Sequence, residues 1–175
     1  MNTVIAYVHD SDLRLSDSLR AWRPPRWFRV WMLGATRLGD GWLWTILALL
    51  LSLGGGRAHK VLATGALAAG LAGALLVTVK RRVRRPRPCE LAGFPHFNVR
   101  PPDRWSFPSG HSMNSFAVCT VLALAFPTLT PPLLLTAASI AASRVVLGLH
   151  FVSDVIVGSL LGVAIGAATH AALLG

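Results

Sequence analysis

Four stretches of this sequence carry almost no charge, and they limit the possible folds more than any other feature. Residues 41–56, 61–79 and 112–143 contain no charged side chain and no histidine, and residues 155–175 contain only His170. A helix that crosses a bilayer needs about 20 apolar residues, within a range of about 17–25. Splitting the longest stretch at Pro127, Pro131 and Pro132 predicts five helices, over residues 40–54, 60–80, 109–126, 131–148 and 153–174. A sixth span over residues 26–38 stays open, and no β alternation competes. Composition agrees: 14% of residues are charged, against about 25% in a soluble domain. Mean hydropathy is +0.55. The expected fold is all-α, a polytopic membrane helical bundle of about five to six transmembrane helices. It is read as one domain over residues 1–175, with interfacial amphipathic helices in 1–38 and the bundle in 40–174.

Charge points to the partner. Seventeen Lys and Arg face seven Asp and Glu, a net charge of +10. In so apolar a chain that excess suits anionic lipid headgroups or phosphates, and no nucleic-acid partner is expected. The two cysteines, Cys89 and Cys119, show neither metal spacing nor a disulfide framework. At the N-terminus, Asp12 is placed to cap a helix carrying Leu15, Leu19 and Trp22, which Pro24-Pro25 ends. A following segment sets Arg26, Arg29 and Arg37 along one stripe, with Phe28, Trp31, Met32 and Leu38 elsewhere. Arg with Trp on such a helix reads as interfacial.

Small residues recur every four positions at Gly158, Gly162 and Gly166, and again at Gly65, Ala69 and Gly73. That spacing lets two backbones approach closely. It serves either packing within the bundle, the favoured reading, or a homodimer face.

Polar residues gather in three clusters. Lys80 to Pro88 (KRRVRRPRP) closes the second helix, Phe107 to Ser112 (FPSGHS) opens the third, and Ser143 to Asp154 joins the fourth to the fifth. Each has a bland reading: basic residues mark a membrane boundary, Ser109 caps a helix, and His150 with Asp154 is a helix-surface pair. With five spans, however, all three clusters fall on one side of the membrane. Together they suit phosphoryl transfer, where catalysis is largely positioning plus electrostatic stabilisation. Lys80, Arg87 and Arg144 supply fixed positive charge. Backbone N–H groups at Ser109 and Gly110, near a helix start, form an anion cradle, and Gly110 lets the backbone come close. His150, held by Asp154, suits a nucleophile, and His111 a general acid. Only Asp154 among the seven carboxylates is assigned to the site, so no metal and no cofactor are expected.

Lys80-x6-Arg87-Pro88, Pro108-Ser109-Gly110-His111 and Ser143-Arg144-x5-His150-x3-Asp154 resemble the three signature motifs of the type 2 phosphatidic acid phosphatase superfamily. Order, spacing and side chains all match, over about residues 36–174. The resemblance implies a helical bundle, a lipid phosphate substrate and a phosphohistidine intermediate. It makes His150 the nucleophile, Asp154 its orienting partner and His111 the acid that later activates water. Lys80, Arg87, Ser109, Gly110 and Arg144 would bind the phosphate. Bacterial members of this size resemble phosphatases for undecaprenyl pyrophosphate, phosphatidylglycerol phosphate or polyprenyl-phosphoryl sugars.

The expected location is the bacterial cell membrane, crossed several times. Eight basic residues from Lys80 to Arg104, with those of the N-terminal helices, lean the active side towards the cytoplasm, against Arg57 and Lys60 on the other side. The competing function is a non-catalytic lipid-binding or transport protein with the same cradle. It leaves the pairing of His150 and Asp154 with His111 unexplained. Phe94, Pro95, His96 and Phe97 are placed to shape headgroup entry, and Trp105 and Phe107 to sit at headgroup level.

Overall fold

The computed structural model describes residues 3–92, 101 and 103–175, so the loop residues Phe94, Pro95, His96 and Phe97 lie outside the described residues. Among the described residues every regular element is helical: α1 (Thr3–Ala21), α2 (Arg26–Arg37), α3 (Leu43–Ser52), α4 (Gly56–Val83), α5 (Pro88–Ala92), α6 (Gly110–Ala125), α7 (Thr130–Val146) and α8 (Val152–Leu173). Gly56–Leu91, Pro127–Val146 and Val152–Leu173 are long and apolar enough to cross a membrane; α6 is apolar but has 16 residues.

The helix expected over residues 40–54 takes a different form. A π turn, Leu38–Trp42, joins α2 to α3, and Gly41 within it adopts φ 118°, a left-handed geometry that favours glycine. The remaining ten residues of α3 extend about 15 Å, half of a bilayer core. The chain from α2 to α3 is therefore one kinked rod. Its first half packs along α7 and its second along α4. Asp12 also departs from expectation. It lies in the middle of α1, buried, and caps nothing there. Pro24 and Pro25 do end that helix, since α1 stops at Ala21.

At the centre stands α6, packed against α4, α7 and α8. The α4–α6 seam is built from Val61, Ala68, Ala72, Met113, Ala117, Val121, Leu122 and Ala125, mostly small side chains that let the helices close up. The α6–α8 seam is tighter. A Cβ on Gly158 would stand 2.6 Å from the Ser109 carbonyl oxygen, on Gly162 2.3 Å from that of Met113, and on Gly166 2.4 Å from that of Ala117. This glycine row is thus spent inside the bundle. The row on α4 behaves otherwise: among the described residues, Gly65 and Gly73 have nothing within 4 Å of an added Cβ, so no close backbone approach there explains them. Outward faces carry Leu49, Leu50, Leu53, Leu135 and Leu160, as a lipid-facing surface requires.

Candidate active site

One end of the bundle collects the polar clusters. Helices α4 and α7 finish there, and α6 and α8 start there. Lys80 lies in the last turn of α4; Arg87 follows the break after Val83, where Arg84 takes a left-handed φ of 50°. Arg144 lies in the last turn of α7, and the tight connection to α8 is held by the Leu149 and His150 amides, both donating to the Arg144 carbonyl at 3.0 Å. Ser109 caps α6 as expected, accepting from the Ser112 amide, and its own amide donates to the Asp154 carbonyl at 3.0 Å. The start of α6 is thereby tied to the start of α8. Gly110 has a packing reason the sequence did not disclose, because a Cβ there would meet Leu76 Cδ2 at 2.6 Å.

His150 is enclosed, 2% exposed. Its Nε2 accepts from Arg87 Nη1 at 3.0 Å, which assigns the proton to Nδ1. Nδ1 faces Asp154 Oδ2 at 3.5 Å, too long for a hydrogen bond, and has no other partner among the described residues. Burial pushes the imidazole down to about 3; the Asp154 carboxylate opposes this, and the Arg87 and Arg144 guanidiniums add to it. The ring is neutral at physiological pH, with its Nε2 lone pair towards the cationic pocket. Asp154 is fixed from two further directions. Its Oδ2 accepts from the Phe151 amide at 2.9 Å, the capping arrangement of the first turn of α8, and its Oδ1 accepts from Arg85 Nη1 at 2.7 Å.

Arg87 is 1% exposed, and its guanidinium reaches the Leu149 carbonyl, the Asp103 carbonyl and Asp103 Oδ1 as well as His150. Lys80 Nζ donates to both Asp103 oxygens, at 2.9 and 2.7 Å. Burial would raise the Asp103 carboxyl, but hydrogen bonds and charge from Lys80 and Arg87 prevail and hold it below the usual carboxylate range. Arg144 Nη1 donates to Thr36 Oγ1 of α2, while its Nε is buried with no partner among the described residues. His111 Nε2 is bonded to Asp40 Oδ1 at 2.8 Å.

All eight residues expected at the site therefore come to this end of the bundle. The expectation that Asp154 is its only carboxylate is corrected: Asp12, Asp40 and Asp103 are there too. Asp12 accepts from Arg85 Nη2 at 2.8 Å and from the Ser153 amide at 3.1 Å. These three acids stand far from the motifs in sequence or between them, at no diagnostic spacing. The one available signal was Asp40 between two glycines.

An all-helical membrane bundle with three buried cationic side chains and two histidines at one end is the class that this fold and pocket define. The chain belongs to the PAP2 superfamily, whose family model matches residues 61–174. It is 37% identical over 124 residues to the decaprenylphosphoryl-5-phosphoribose phosphatase of Mycobacterium tuberculosis, covering 71% of this chain and 68% of that one. With the protein of that name from Mycolicibacterium smegmatis it shares 42% identity over 99 residues, 55% of this chain and 51% of the relative. Among solved structures, a PAP2-type phosphatidylglycerolphosphate phosphatase from Bacillus subtilis superimposes with a TM-score of 0.77 at 27% identity, covering 98% of this chain and 86% of that one. LpxE of Aquifex aeolicus gives 0.76 at 30% identity, with 90% and 93% coverage. The protein is a membrane lipid phosphatase, a phosphoric monoester hydrolase.

Proposed function

We infer that this lipid phosphatase works through a phosphohistidine on His150, without a metal ion. The observation that carries the reading is the His150 ring itself. It is neutral, its Nδ1 faces Asp154, and its Nε2 lone pair lies beside the Arg87 guanidinium. A neutral imidazole so oriented attacks phosphorus through Nε2. The bond from phosphorus to the leaving oxygen breaks as the N–P bond forms, and His111 gives that oxygen its proton. Asp154 stabilises the charge that develops on the ring. His111 then takes a proton from water, whose oxygen attacks phosphorus; the N–P bond breaks and inorganic phosphate leaves. Lys80, Arg87 and Arg144, with the Gly110 amide at the start of α6, stabilise the equatorial oxygens throughout; the Ser109 amide, expected to join them, is engaged by the Asp154 carbonyl instead. These cations supply the charge that a metal ion supplies in other phosphatases.

The substrate class follows from the relatives' names: a prenyl-phosphoryl pentose carrying a phosphomonoester. The location in this reading is the cell membrane, crossed several times, with the site towards the cytoplasm on the strength of the basic residues around it. Phosphate release by the purified protein in detergent with excess EDTA tests all but the location. The panel holds phosphatidate, phosphatidylglycerol phosphate, undecaprenyl pyrophosphate and a polyprenyl-phosphoryl ribose phosphate. EDTA-resistant release, greatest from the ribose phosphate and lost in His150→Ala, is expected. Release abolished by EDTA, or unchanged in the variant, would overturn the mechanism.

A further inference from the structure

The segment Leu38-Gly39-Asp40-Gly41-Trp42 lies outside the three motifs, and the mechanism above leaves it without a part. It is nonetheless shaped around one of the two histidines. Gly39 abuts the imidazole of His111: a Cβ there would stand 2.7 Å from His111 Cδ2 and 2.9 Å from Ile140 Cγ2. Gly41 takes the left-handed φ of 118° that forms the kink between α2 and α3. Between them Asp40 Oδ1 meets His111 Nε2 at 2.8 Å, while Oδ2 faces Arg37 at 3.7 Å. His111 is mostly buried and Asp40 partly exposed, with side chains 15% and 39% accessible.

We propose that Asp40 is the positioning residue of the general acid, doing for His111 what Asp154 does for His150. The inference rests on the phosphatase reading of the site. By accepting from Nε2–H, Asp40 fixes the ring's tautomer and rotation and leaves Nδ1 as the nitrogen that faces the substrate. A carboxylate there also favours the protonated ring, the form that gives its proton to the departing oxygen. Gly39 lets the backbone lie against the ring, and Gly41 provides the turn that carries the carboxylate to it. The two histidines are thus oriented by acids from opposite ends of the chain, one on α8 and one in the α2–α3 kink.

A role in leaving-group protonation has a signature that a purely structural role lacks. An alkoxide leaving from a lipid needs a proton; p-nitrophenolate, a far weaker base, does not. Asp40→Asn is therefore expected to lower kcat/KM for the polyprenyl-phosphoryl ribose phosphate, whose leaving group is an alkoxide, by about tenfold to a hundredfold. For p-nitrophenyl phosphate it is expected to lower it less than about threefold, with vanadate binding retained. Gly39→Ala, which keeps the carboxylate but pushes the ring aside, should show the same split and serves if Asp40→Asn does not fold. Equal losses on both substrates, a larger loss on p-nitrophenyl phosphate, or no loss on either would overturn the proposal. Wild-type protein that hydrolyses neither substrate, or His150→Ala that still hydrolyses them, overturns instead the phosphatase mechanism beneath it.

Discussion

Arg85 Nη1 donates to Asp154 Oδ1 at 2.7 Å, and its Nη2 donates to Asp12 Oδ2 at 2.8 Å. One guanidinium therefore joins the acid beside His150 to the middle of the N-terminal helix. The same group lies 4.0 Å from the centroid of the Phe151 ring, so it is held by stacking as well as by charge.

Arg85→Lys keeps the charge but loses the planar fork that reaches two carboxylates at once. It is expected to lower kcat by about tenfold or more with little change in KM, because Asp154 is less well held while the phosphate ligands stay. Steady-state kinetics on p-nitrophenyl phosphate measure this, and an unchanged kcat would remove Arg85 from the account.

In the proposed mechanism Asp103 competes with phosphate for the same donors. Its carboxylate accepts from Lys80 and Arg87, the side chains placed to hold the substrate's oxygens. Asp103→Asn removes that competitor and is expected to tighten vanadate inhibition by about fivefold, the size of a partly exposed ion pair. Weaker inhibition would mean that Asp103 holds the two cations in place rather than blocking them.

The two glycine rows predict opposite outcomes. Gly162→Ala places a Cβ 2.3 Å from the Met113 carbonyl oxygen and 2.9 Å from Phe116 Cβ. Helices α6 and α8 must part, at a cost of about 1–3 kcal/mol. Gly73→Ala meets nothing within 4 Å among the described residues and gains helix propensity. Thermal unfolding in detergent should show a lowered Tm for the first and an unchanged or raised Tm for the second; equal shifts would contradict the packing described.

Acid should weaken the fold through His150. Its ordinary value is 6.5, and burial lowers it to about 3 in the folded protein. Below 6.5 the unfolded chain takes up a proton that the folded chain refuses, so stability declines as pH falls from about 6.5 towards 3. Asp103, held below 3.8, adds stability above that value and loses it as pH falls through its folded one. Replacing His150 by Gln should flatten the fall of Tm between about pH 6.5 and 4, and an unaltered slope would contradict it.

Much of this was legible in the sequence, for physical reasons. Charge-free length marks the spanning helices because lipid tolerates little else, and Pro127 marks the turn between α6 and α7. The motif residues stood out because charge at a helix end in a membrane protein is costly. The supporting acids did not. Asp12 looked like a helix cap and lies in the middle of α1, and Asp40 looked like the edge of an apolar run. Each reaches the site through a contact with a residue more than 70 positions away, Arg85 for Asp12 and His111 for Asp40. No local spacing encodes such a contact. The kink at Gly41 escaped for a related reason: glycine is also common where helices simply pack, and only the fold tells the two uses apart.

The proposed chemistry turns on a phosphoryl group carried on His150, and trapping that group is its decisive test. His111→Ala can still be phosphorylated by p-nitrophenyl phosphate, whose leaving group needs no acid, but it lacks the base that activates water. Acid-labile, base-stable label from the 32P-substrate should therefore accumulate in this variant on the peptide containing His150. It should be absent when His150 is replaced by Ala as well. Phosphate release with no labelled protein, or label that persists without His150, would contradict the account.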